Sequence, residues 1–352
     1  MNILEKRVRE FIGKEINLKH IPGAVIHISH QGKVLYEEAL GYRSVFPTKE
    51  KMALNTVFDL ASLTKVVATL PSILKLIEYG DIHLDDRIKT ILPKFATNGK
   101  EDITIKHLLT HTSGLPAHRR YYEEKLGTEQ IINQIYQESL VSAIGEQVIY
   151  SDLGFITLYQ VIEAVTGKRF EDFVQKEVFE PLEMKETGFN PSFNEKRFAA
   201  TEYSEGLQGY KQGIVHDDNT EFMGGISGHA GLFSTMSDLT HFAEMIENDG
   251  VYKGKTILSA RSLQISRKNY SPFDTEFRGL GWILKSPIVS SCGDLFSVES
   301  YGHTGFTGTS IWFDPKVDLR VILLTNRVHY GRKDPILRLR PRFHNIIRSY
   351  FD

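Results

Sequence analysis

Strand-forming segments lie at the two ends of this chain, and helical patterns fill the region between them. The runs Gly23–His30 and Lys33–Leu40 flank Gln31-Gly32, a dipeptide that is typical of a hairpin turn. Further β-rich runs return only late in the chain, at Leu280–Lys285, Leu295–Tyr301, Thr309–Asp314 and Leu319–Asn326. Strands at both termini, with helices between them, predict one sheet that is assembled from the two ends of the chain and a helical region inserted within it.

The domain organisation follows from this arrangement. By length alone, 352 residues correspond to two domains or to one large one. Because no linker or internal repeat separates the regions, we expect a single domain spanning residues 1–352, with an α/β part at about 1–80 and 250–352 and a mainly helical part at about 81–249. The expected fold class is α/β in the α+β sense, an antiparallel sheet flanked by helices plus an all-helical subregion. A cleft between the two parts is a common place for a ligand site.

Apolar spacing and Pro or Ser punctuation place the main helices. Apolar residues at helical intervals from Leu4 to Ile12 predict an amphipathic first helix. A second helix is expected over Ser62–Tyr79, and Pro71 inside it should kink or split it. Ser237 is expected to cap a helix that runs to Asn248, and a final helix to cover about Pro335–Tyr350.

Charge and cysteine usage exclude several function classes. The 42 Lys and Arg residues balance 44 Asp and Glu residues, for a net charge of −2, which argues against a nucleic-acid-binding surface over the whole chain. A single cysteine, Cys292, can form neither an internal disulfide nor a thiolate metal cluster. We therefore expect no nucleic-acid partner and no cysteine-based metal site.

The chain contains no apolar run of eighteen residues, so no membrane-spanning helix is expected. The first twenty residues also lack the apolar stretch of a signal peptide. The expected location is therefore the cytoplasm, although a chain trimmed of its leader would look the same, and export stays open on that ground.

Ser62 and Lys65 form the first group that could carry chemistry. A serine at the start of a helix lies near the positive end of the helix dipole, and a lysine three residues later lies on the same face. Such a lysine can activate the serine hydroxyl as a nucleophile. Ser72 and Lys75 have the same spacing, so the pattern alone is weak. Ser62 is preferred because it follows a β-rich run at a helix start, whereas Ser72 comes after Pro71.

Two further segments are candidates. Tyr150-Ser151-Asp152 follows the apolar pair Val148-Ile149, and a tyrosine near a lysine can act as a general base. The alternative is a core tyrosine followed by a helix cap. Gly302–Gly308 precedes the strand Thr309–Asp314, and its glycines would allow a substrate to approach the backbone. The alternative here is an ordinary hairpin turn with an incidental histidine.

Taken in order, these segments resemble the penicillin-recognising serine hydrolases. The family pattern of Ser-x-x-Lys, Tyr-x-(Asn/Asp) and (Lys/His)-Thr-Gly is matched by Ser62–Lys65, Tyr150–Asp152 and His303–Gly305. Stretches outside these motifs are also similar, including those at 21–24, 58–62, 107–115, 228–232 and 279–282. The resemblance spans about residues 20–330 and is to the branch that holds class C β-lactamases, penicillin-binding peptidases and serine esterases. It implies a β-lactamase/transpeptidase-like fold and no cofactor.

The resemblance also implies a role for each matched residue. Ser62 would be the nucleophile that forms an acyl-enzyme, Lys65 would polarise it, and Tyr150 would shuttle protons. The main-chain N–H groups of Ser62 and Phe306 would form the oxyanion hole, in which one donor is worth about 3 kcal/mol. Asp152 would hold Lys65 or a substrate amide, as a member of the catalytic set. His303, Thr304 and Gly305 would face the substrate or the proton network.

Two departures from the family pattern bear on the substrate. The β-lactamases usually have lysine where this chain has His303 and asparagine where it has Asp152. A histidine is a weaker fixed counter-charge for a carboxylate, and an ionised aspartate cannot donate a hydrogen bond. We therefore expect hydrolysis of an ester or a D-amino-acyl amide, with weak or absent β-lactam turnover. The alternatives are a non-catalytic or acyl-trapping penicillin-binding sensor, and a true class C β-lactamase.

The basic C-terminal stretch and a histidine pair complete the candidates. Arg327 and Arg332 follow the last predicted strand, and they could bind an anionic substrate such as a muropeptide, or simply form a solvated basic surface. His107 and His111 have the spacing of a metal pair, but no Glu lies between them, so we expect no metal. The expected partners are thus a small-molecule or peptidoglycan-derived substrate, with β-lactams as acylating ligands. The oligomeric state stays open.

Overall fold

The computed structural model describes residues 3–192, 197–288 and 290–352. Within these ranges the strands, in chain order, are β1 (Gly23–His30), β2 (Lys33–Ser44), β3 (Glu50–Lys51), β4 (Phe58–Asp59), β5 (Gly188–Phe189), β6 (Tyr203–Ser204), β7 (Gly209–Tyr210), β8 (Leu232–Ser234), β9 (Val251–Tyr252), β10 (Lys255–Thr256), β11 (Ile283–Leu284), β12 (Tyr301–Thr304), β13 (Ser310–Asp314) and β14 (Leu319–Thr325). Seven of them form one antiparallel sheet in the order β11-β12-β13-β14-β1-β2-β3. The sheet therefore joins strands from the two ends of the chain, as the sequence predicts.

The helices of the described residues are mostly in the middle of the chain. In chain order they are α1 (Ile3–Asn17), α2 (Leu70–Tyr79), α3 (Ile88–Ile91), α4 (Ile105–Leu109), α5 (Thr128–Gln137), α6 (Asp152–Thr166), α7 (Phe170–Val174), α8 (Asp218–Phe222), α9 (Met236–Glu247), α10 (Ala260–Ser266) and α11 (Pro335–Arg348). Among the described residues, none of these helices is both long enough and apolar enough to cross a bilayer.

Strand β1 lies at the centre of the large sheet and is buried on both faces. Its alternation places Ala24, Ile26 and Ile28 in the apolar cluster under α1 and α11. Val25 points the other way, into the larger cluster that the helical region covers. Because both faces of the sheet are covered, every residue of β1 except His30 is buried, including the polar His27 and Ser29.

The terminal helices α1 and α11 pack together on the outer face of the sheet. The rings of Phe11 and Phe343 stack with their centroids 6.4 Å apart, and Arg342 forms an ion pair with Glu15 at 3.2 Å. Leu4, Val8 and the other apolar residues of α1 are buried. The predicted amphipathic first helix is thus confirmed, and so is the final helix.

The turn between β1 and β2 needs left-handed backbone at two positions. Gln31 has φ 50° and Gly32 has φ 70°, as in a type I′ hairpin turn. The register then pairs His30 with Lys33. The predicted hairpin is therefore confirmed.

The helix that begins near Ser62 has three different geometries. Residues Ala61–Leu63 form a turn of 3₁₀-helix, Lys65–Thr69 form a π-helical turn, and α2 begins at Leu70. Pro71 lies in the first turn of α2, where its missing N–H removes no helical hydrogen bond. The predicted helix is therefore present, and instead of being split at Pro71 it changes its geometry at Leu70 without a gap in the helical residues.

Two predicted elements differ from the structure. Leu295–Tyr301 is not a strand. The Ser297 amide and hydroxyl donate to the Asp314 carboxylate at 3.0 and 2.6 Å, and such bonds to a side chain compete with the backbone hydrogen bonds of a sheet. Only its last residue, Tyr301, joins β12. Ser237 is not the cap of α9 either, since the Thr235 side chain accepts the Asp238 N–H and the helix begins one residue before Ser237.

Candidate active site

Ser62 lies just after a residue in an unusual backbone conformation. Ala61 has φ 47°, a left-handed value that costs a non-glycine residue on the order of 1–2 kcal/mol. The buried Asp59 carboxylate stabilises this turn, because it accepts the Ala61 N–H at 2.8 Å and the His216 N–H at 2.6 Å. Thr64 adds a hydrogen bond from its hydroxyl to the Ala61 carbonyl at 2.6 Å. The chain is thereby bent so that Ser62 lines a cavity.

Lys65 is fully buried one helical turn after Ser62. Its Nζ donates to Ser62 Oγ at 3.1 Å, to Asp152 Oδ1 at 2.8 Å and to the His229 carbonyl at 3.2 Å. Burial by itself would lower the pKa of Lys65, but the negative charge of Asp152, together with the neighbouring Tyr150, outweighs burial and raises the pKa above its usual value. Lys65 is therefore a charged donor to the serine hydroxyl in the resting protein.

Asp152 is the first residue of α6, and the Ser151 side chain caps that helix at Gly154. Burial opposes ionisation of Asp152, yet the charge of Lys65 and a hydrogen bond from His118 hold its pKa well below the usual range. His118 Nδ1 lies 3.5 Å from Asp152 Oδ2, and this contact raises the pKa of His118. The carboxylate therefore connects Lys65 to a half-exposed histidine.

Tyr150 lies between two cations. Lys65 Nζ is 4.7 Å from the centre of its ring, and Arg278 Cζ is 5.3 Å from the same point. The rings of His111 and His303 lie 4.5 and 6.1 Å from the tyrosine ring. The structure thus brings together the serine, lysine and tyrosine that the sequence analysis selected from segments almost ninety residues apart.

His303 is buried in β12, next to Tyr150. Its Nδ1 lies 2.9 Å from the Thr304 carbonyl and donates to it. Burial, together with the charges of Lys65 and Arg278, lowers the pKa of His303 well below its usual value. The imidazole is therefore neutral near pH 7 and supplies no positive charge to a substrate carboxylate.

β12 leaves part of its edge free beside the cavity. β11 pairs only with Tyr301 and Gly302, so among the described residues no strand covers the edge at His303 and Thr304. This is the geometry that a substrate backbone would need to add to the sheet.

The turn after β12 is fixed tightly to the segment before Ser62. Gly305 N–H donates to the Thr309 carbonyl at 2.7 Å, and the Thr309 hydroxyl donates to the Leu60 carbonyl at 3.0 Å. A Cβ added at Gly305 would collide with the Leu60 carbonyl oxygen, so only glycine is accommodated there. The predicted oxyanion donor Phe306 follows, and its side chain is about half exposed at the cavity.

The cavity that contains Ser62 has a volume of about 290 Å³. Sequence-selected residues and residues without any sequence signal share its lining, namely Ala61, Ser62, His118, Tyr122, Tyr150, Asp152, His216, Asp217, Asp218, His229, Ala230, Phe306 and Arg332. The histidine and acids at 216–218 are in reach only because that segment folds back onto Ser62, and no motif marks them. The glycine-rich turn at 224–231 also borders the cavity, through His229 and Ala230, which lie in the family-like stretch 228–232.

The two arginines after the last strand make different contacts. Arg332 lines the cavity, but its guanidinium is paired with Glu202 at 2.8 Å and with Asp218 at 2.9 Å. Arg327 is not among the described residues that line the cavity, and its Nε donates to the Phe306 carbonyl at 2.8 Å. Recognition of an anionic substrate by either residue stays a prediction.

The other sequence candidates have structural roles. The Ser72 hydroxyl donates to the Ala68 carbonyl at 2.8 Å inside the core, away from the cavity. His107 takes part in the cap of α4 with Thr104, and His111 Nδ1 accepts the Ser151 N–H at 3.0 Å. Within the described ranges, no three His, Cys, Asp or Glu side chains are grouped as metal ligands.

Comparison with known proteins identifies the class first. The solved structure of EstCE1, titled a hydrolase with promiscuous acyltransferase activity, has a TM-score of 0.80 with 22% identity and covers 98% of both chains. Together with the Beta-lactamase family model, which matches residues 5–343, this likeness shows a β-lactamase/transpeptidase-like fold, as predicted, and members of the superfamily with that fold are serine hydrolases.

The family follows from the sequence match. The Beta-lactamase family model matches residues 5–343, so the chain belongs to that family, and the predicted resemblance is confirmed. It is similar to an N-acetylmuramyl-L-alanine amidase of Bacillus subtilis (strain 168), with 31% identity over 94% of this chain and 82% of the relative. It is also similar to a putative D-alanyl-D-alanine carboxypeptidase of Escherichia coli (strain K12), with 30% identity over 92% of this chain and 82% of the relative.

Proposed function

We propose that this protein hydrolyses an amide or ester bond of a peptidoglycan-derived compound through an acyl-enzyme on Ser62. The observation that carries the proposal is the chain of contacts from Ser62 Oγ to Lys65 Nζ at 3.1 Å and on to Asp152 at 2.8 Å, beside Tyr150 in one cavity. A buried, charged lysine next to a cavity-lining serine has no packing function that an apolar residue would not serve better.

In this mechanism, Ser62 Oγ attacks the substrate carbonyl as its proton passes to the Tyr150 hydroxyl oxygen, and the hydroxyl releases its own proton toward the leaving group. Because Asp152 keeps Lys65 protonated, Lys65 acts as a fixed positive charge and Tyr150 is the proton acceptor. The carbonyl oxygen becomes an oxyanion that the N–H groups of Ser62 and Phe306 stabilise. The bond to the leaving group then breaks, and the proton relayed through Tyr150 completes the departing amine or alcohol. A water repeats the sequence on the acyl-enzyme, releases the acid and restores Ser62.

The charges around the cavity favour a substrate without a carboxylate next to the cleaved bond. His303 is neutral, and Arg332 is the only Lys or Arg among the described cavity-lining residues and is already paired with two carboxylates. A D-alanyl-D-alanine peptide and a β-lactam both present a free carboxylate there, whereas the amide between a muramyl lactyl group and a peptide does not. We therefore favour the lactyl–peptide amide as acyl donor over a D-alanyl amide, and we expect slow or absent β-lactam turnover. The name of the Bacillus relative supports this choice.

The test is a substrate panel on the whole chain. The panel contains an N-acetylmuramyl-L-alanyl peptide, a D-alanyl-D-alanine peptide, p-nitrophenyl acetate and a chromogenic cephalosporin. We expect the muramyl peptide to be cleaved by the wild type and by Ser72→Ala, the decoy serine, but not by Ser62→Ala. Activity that survives in Ser62→Ala would refute the mechanism.

The alternative functions, a true β-lactamase and a penicillin-binding sensor, predict different outcomes in the same substrate panel. Cephalosporin hydrolysis with kcat/KM of about 10⁷ M⁻¹s⁻¹ would indicate a true β-lactamase. A labelled penicillin trapped on Ser62 without turnover of any substrate would indicate a sensor. The proposal also includes a cytoplasmic location, for which the one free, buried cysteine, Cys292, gives weak support, and cell fractionation tests it.

A further inference from the structure

The turn that carries the Phe306 N–H is held by two guanidinium groups from outside the predicted catalytic set. Arg340, on α11, is 5% exposed, and its Nη2 donates to the Gly305 carbonyl at 2.7 Å and to the Thr309 carbonyl at 2.8 Å. Arg327 Nε donates to the Phe306 carbonyl at 2.8 Å, and its Cζ lies 4.6 Å from the centre of the Phe306 ring. Both groups thus donate to carbonyls of the turn at 305–309, and Arg327 Nη1 also donates to the Lys333 carbonyl.

The Arg340 contact bears directly on the oxyanion donor because of how a peptide unit is built. The Gly305 carbonyl and the Phe306 N–H belong to the same planar amide. A charged donor on the carbonyl oxygen draws electron density from the nitrogen, so the N–H at the other end becomes a stronger hydrogen-bond donor. The Arg327 contact lies on the next amide, so it fixes the turn without strengthening this N–H.

The Arg340 charge is also poorly compensated, which a merely structural arginine would avoid. Among the described residues, no carboxylate forms an ion pair with it, and its Nε has no hydrogen-bond partner. Burial, with a contribution from Arg327, lowers the pKa of Arg340 to about 9, so the group is still charged near pH 7. Its positive charge therefore acts on the turn in a low-dielectric environment, where a charge is felt more strongly than in water.

We propose that Arg340 is a positioning residue that orients and strengthens the Phe306 N–H for an oxyanion formed on the substrate of Ser62. The inference rests on the proposed function, in which Phe306 contributes to the oxyanion hole. It assigns a role in transition-state stabilisation to a residue of the C-terminal helix that no catalytic motif includes.

The experiment uses three variants of one helix. Arg340→Met removes the charge, Arg340→Lys keeps a charge with fewer donors, and Arg338→Met is the matched control because Arg338 is exposed on the same helix. Each protein is assayed with p-nitrophenyl acetate for kcat and KM, and its acyl-enzyme is examined by infrared spectroscopy with a ¹³C-labelled acyl carbonyl. Melting temperature is measured alongside.

We expect Arg340→Met to lower kcat by about tenfold or more, less than the full loss of one oxyanion donor, with KM changed by less than about twofold. The acyl carbonyl stretch should move to higher frequency, because a weaker oxyanion hole polarises the carbonyl less. Arg340→Lys should fall between Arg340→Met and the wild type, and Arg338→Met should match the wild type.

Each of the other outcomes would refute a stated part of the proposal. A folded Arg340→Met or Arg340→Lys protein with wild-type kcat and carbonyl frequency would refute the role of Arg340 alone, since Ser62 would still be acylated. If Arg340→Met does not fold, Arg340→Lys decides by the same two readouts. Absence of any acyl-enzyme in the wild type would refute the proposed function and this inference together.

Discussion

The ion pair between Lys65 and Asp152 gives the sharpest test, through Asp152→Asn. The Lys65 side chain is fully buried, and its Nζ is 2.8 Å from the carboxylate. Removing one partner of a buried pair costs about 3–5 kcal/mol, because the remaining charge is left uncompensated. The loss has an upper bound, since Lys65 can release its proton. At pH 7, deprotonating a lysine whose usual pKa is 10.5 costs about 5 kcal/mol, at 1.36 kcal/mol per pKa unit. We therefore expect the variant to lose about 3–5 kcal/mol of unfolding free energy at pH 7.

The pH dependence separates this mechanism from simple loss of packing. In the Asp152→Asn protein, burial is no longer opposed by the Asp152 charge and lowers the pKa of Lys65 below 10.5, its usual value, so the unfolded chain binds a proton that the folded one has lost. Stability then rises with pH between about 7 and 9, with a slope approaching about 1.4 kcal/mol per pH unit. The raised pKa of wild-type Lys65 keeps it protonated in both states in that range, so the wild type shows no such rise.

Urea unfolding at pH 7, 8 and 9 measures both effects. The matched control is Asp85→Asn, which removes the carboxylate from an exposed Lys–Asp pair with Lys106. That change should cost no more than about 1 kcal/mol and introduce no slope. An Asp152→Asn protein within about 1 kcal/mol of the wild type and without a pH slope would refute the argument that Asp152 keeps Lys65 charged.

Three further predictions concern activity. Tyr150→Phe should lower kcat by about 10²–10⁴-fold with little change in melting temperature, and a wild-type burst of acylation would contradict its role as proton acceptor. Gly305→Ala should lower kcat and destabilise the turn, because the new methyl group collides with the Leu60 carbonyl oxygen. Thermal unfolding and steady-state kinetics measure the two effects, and unchanged kinetics would show that the turn can shift to accommodate the methyl group. Arg332→Ala uncovers two carboxylates, so KM should rise more for an anionic ester than for a neutral one of the same acyl group. The same fold-change in KM for both esters would exclude Arg332 from substrate recognition.

The large sheet was predictable because its information is local. The alternation of β1 and the turn residues Gln31-Gly32 define the first hairpin, and the last strands β13 and β14 are apolar runs bounded by turns. Prediction failed where a side chain from a distant element decides the local structure. The segment 295–301 has strand-like composition, but the Asp314 carboxylate binds its backbone and holds it in a loop.

For the site, the sequence by itself determined Ser62, Lys65, Tyr150 and Asp152 as candidates, because their spacing and order match a family pattern. Only the tertiary structure decided their ionisation, since the charge of Lys65 depends on burial and on a carboxylate 87 residues away. It likewise made His303 neutral, because burial beside two cations outweighs its intrinsic basicity. Arg340 could not be found from sequence, because a single arginine in an amphipathic helix carries no signal until the fold places it against the Gly305 carbonyl. The sequence specifies which residue types are present, whereas the charge state and orientation of each group depend on distances that only folding determines.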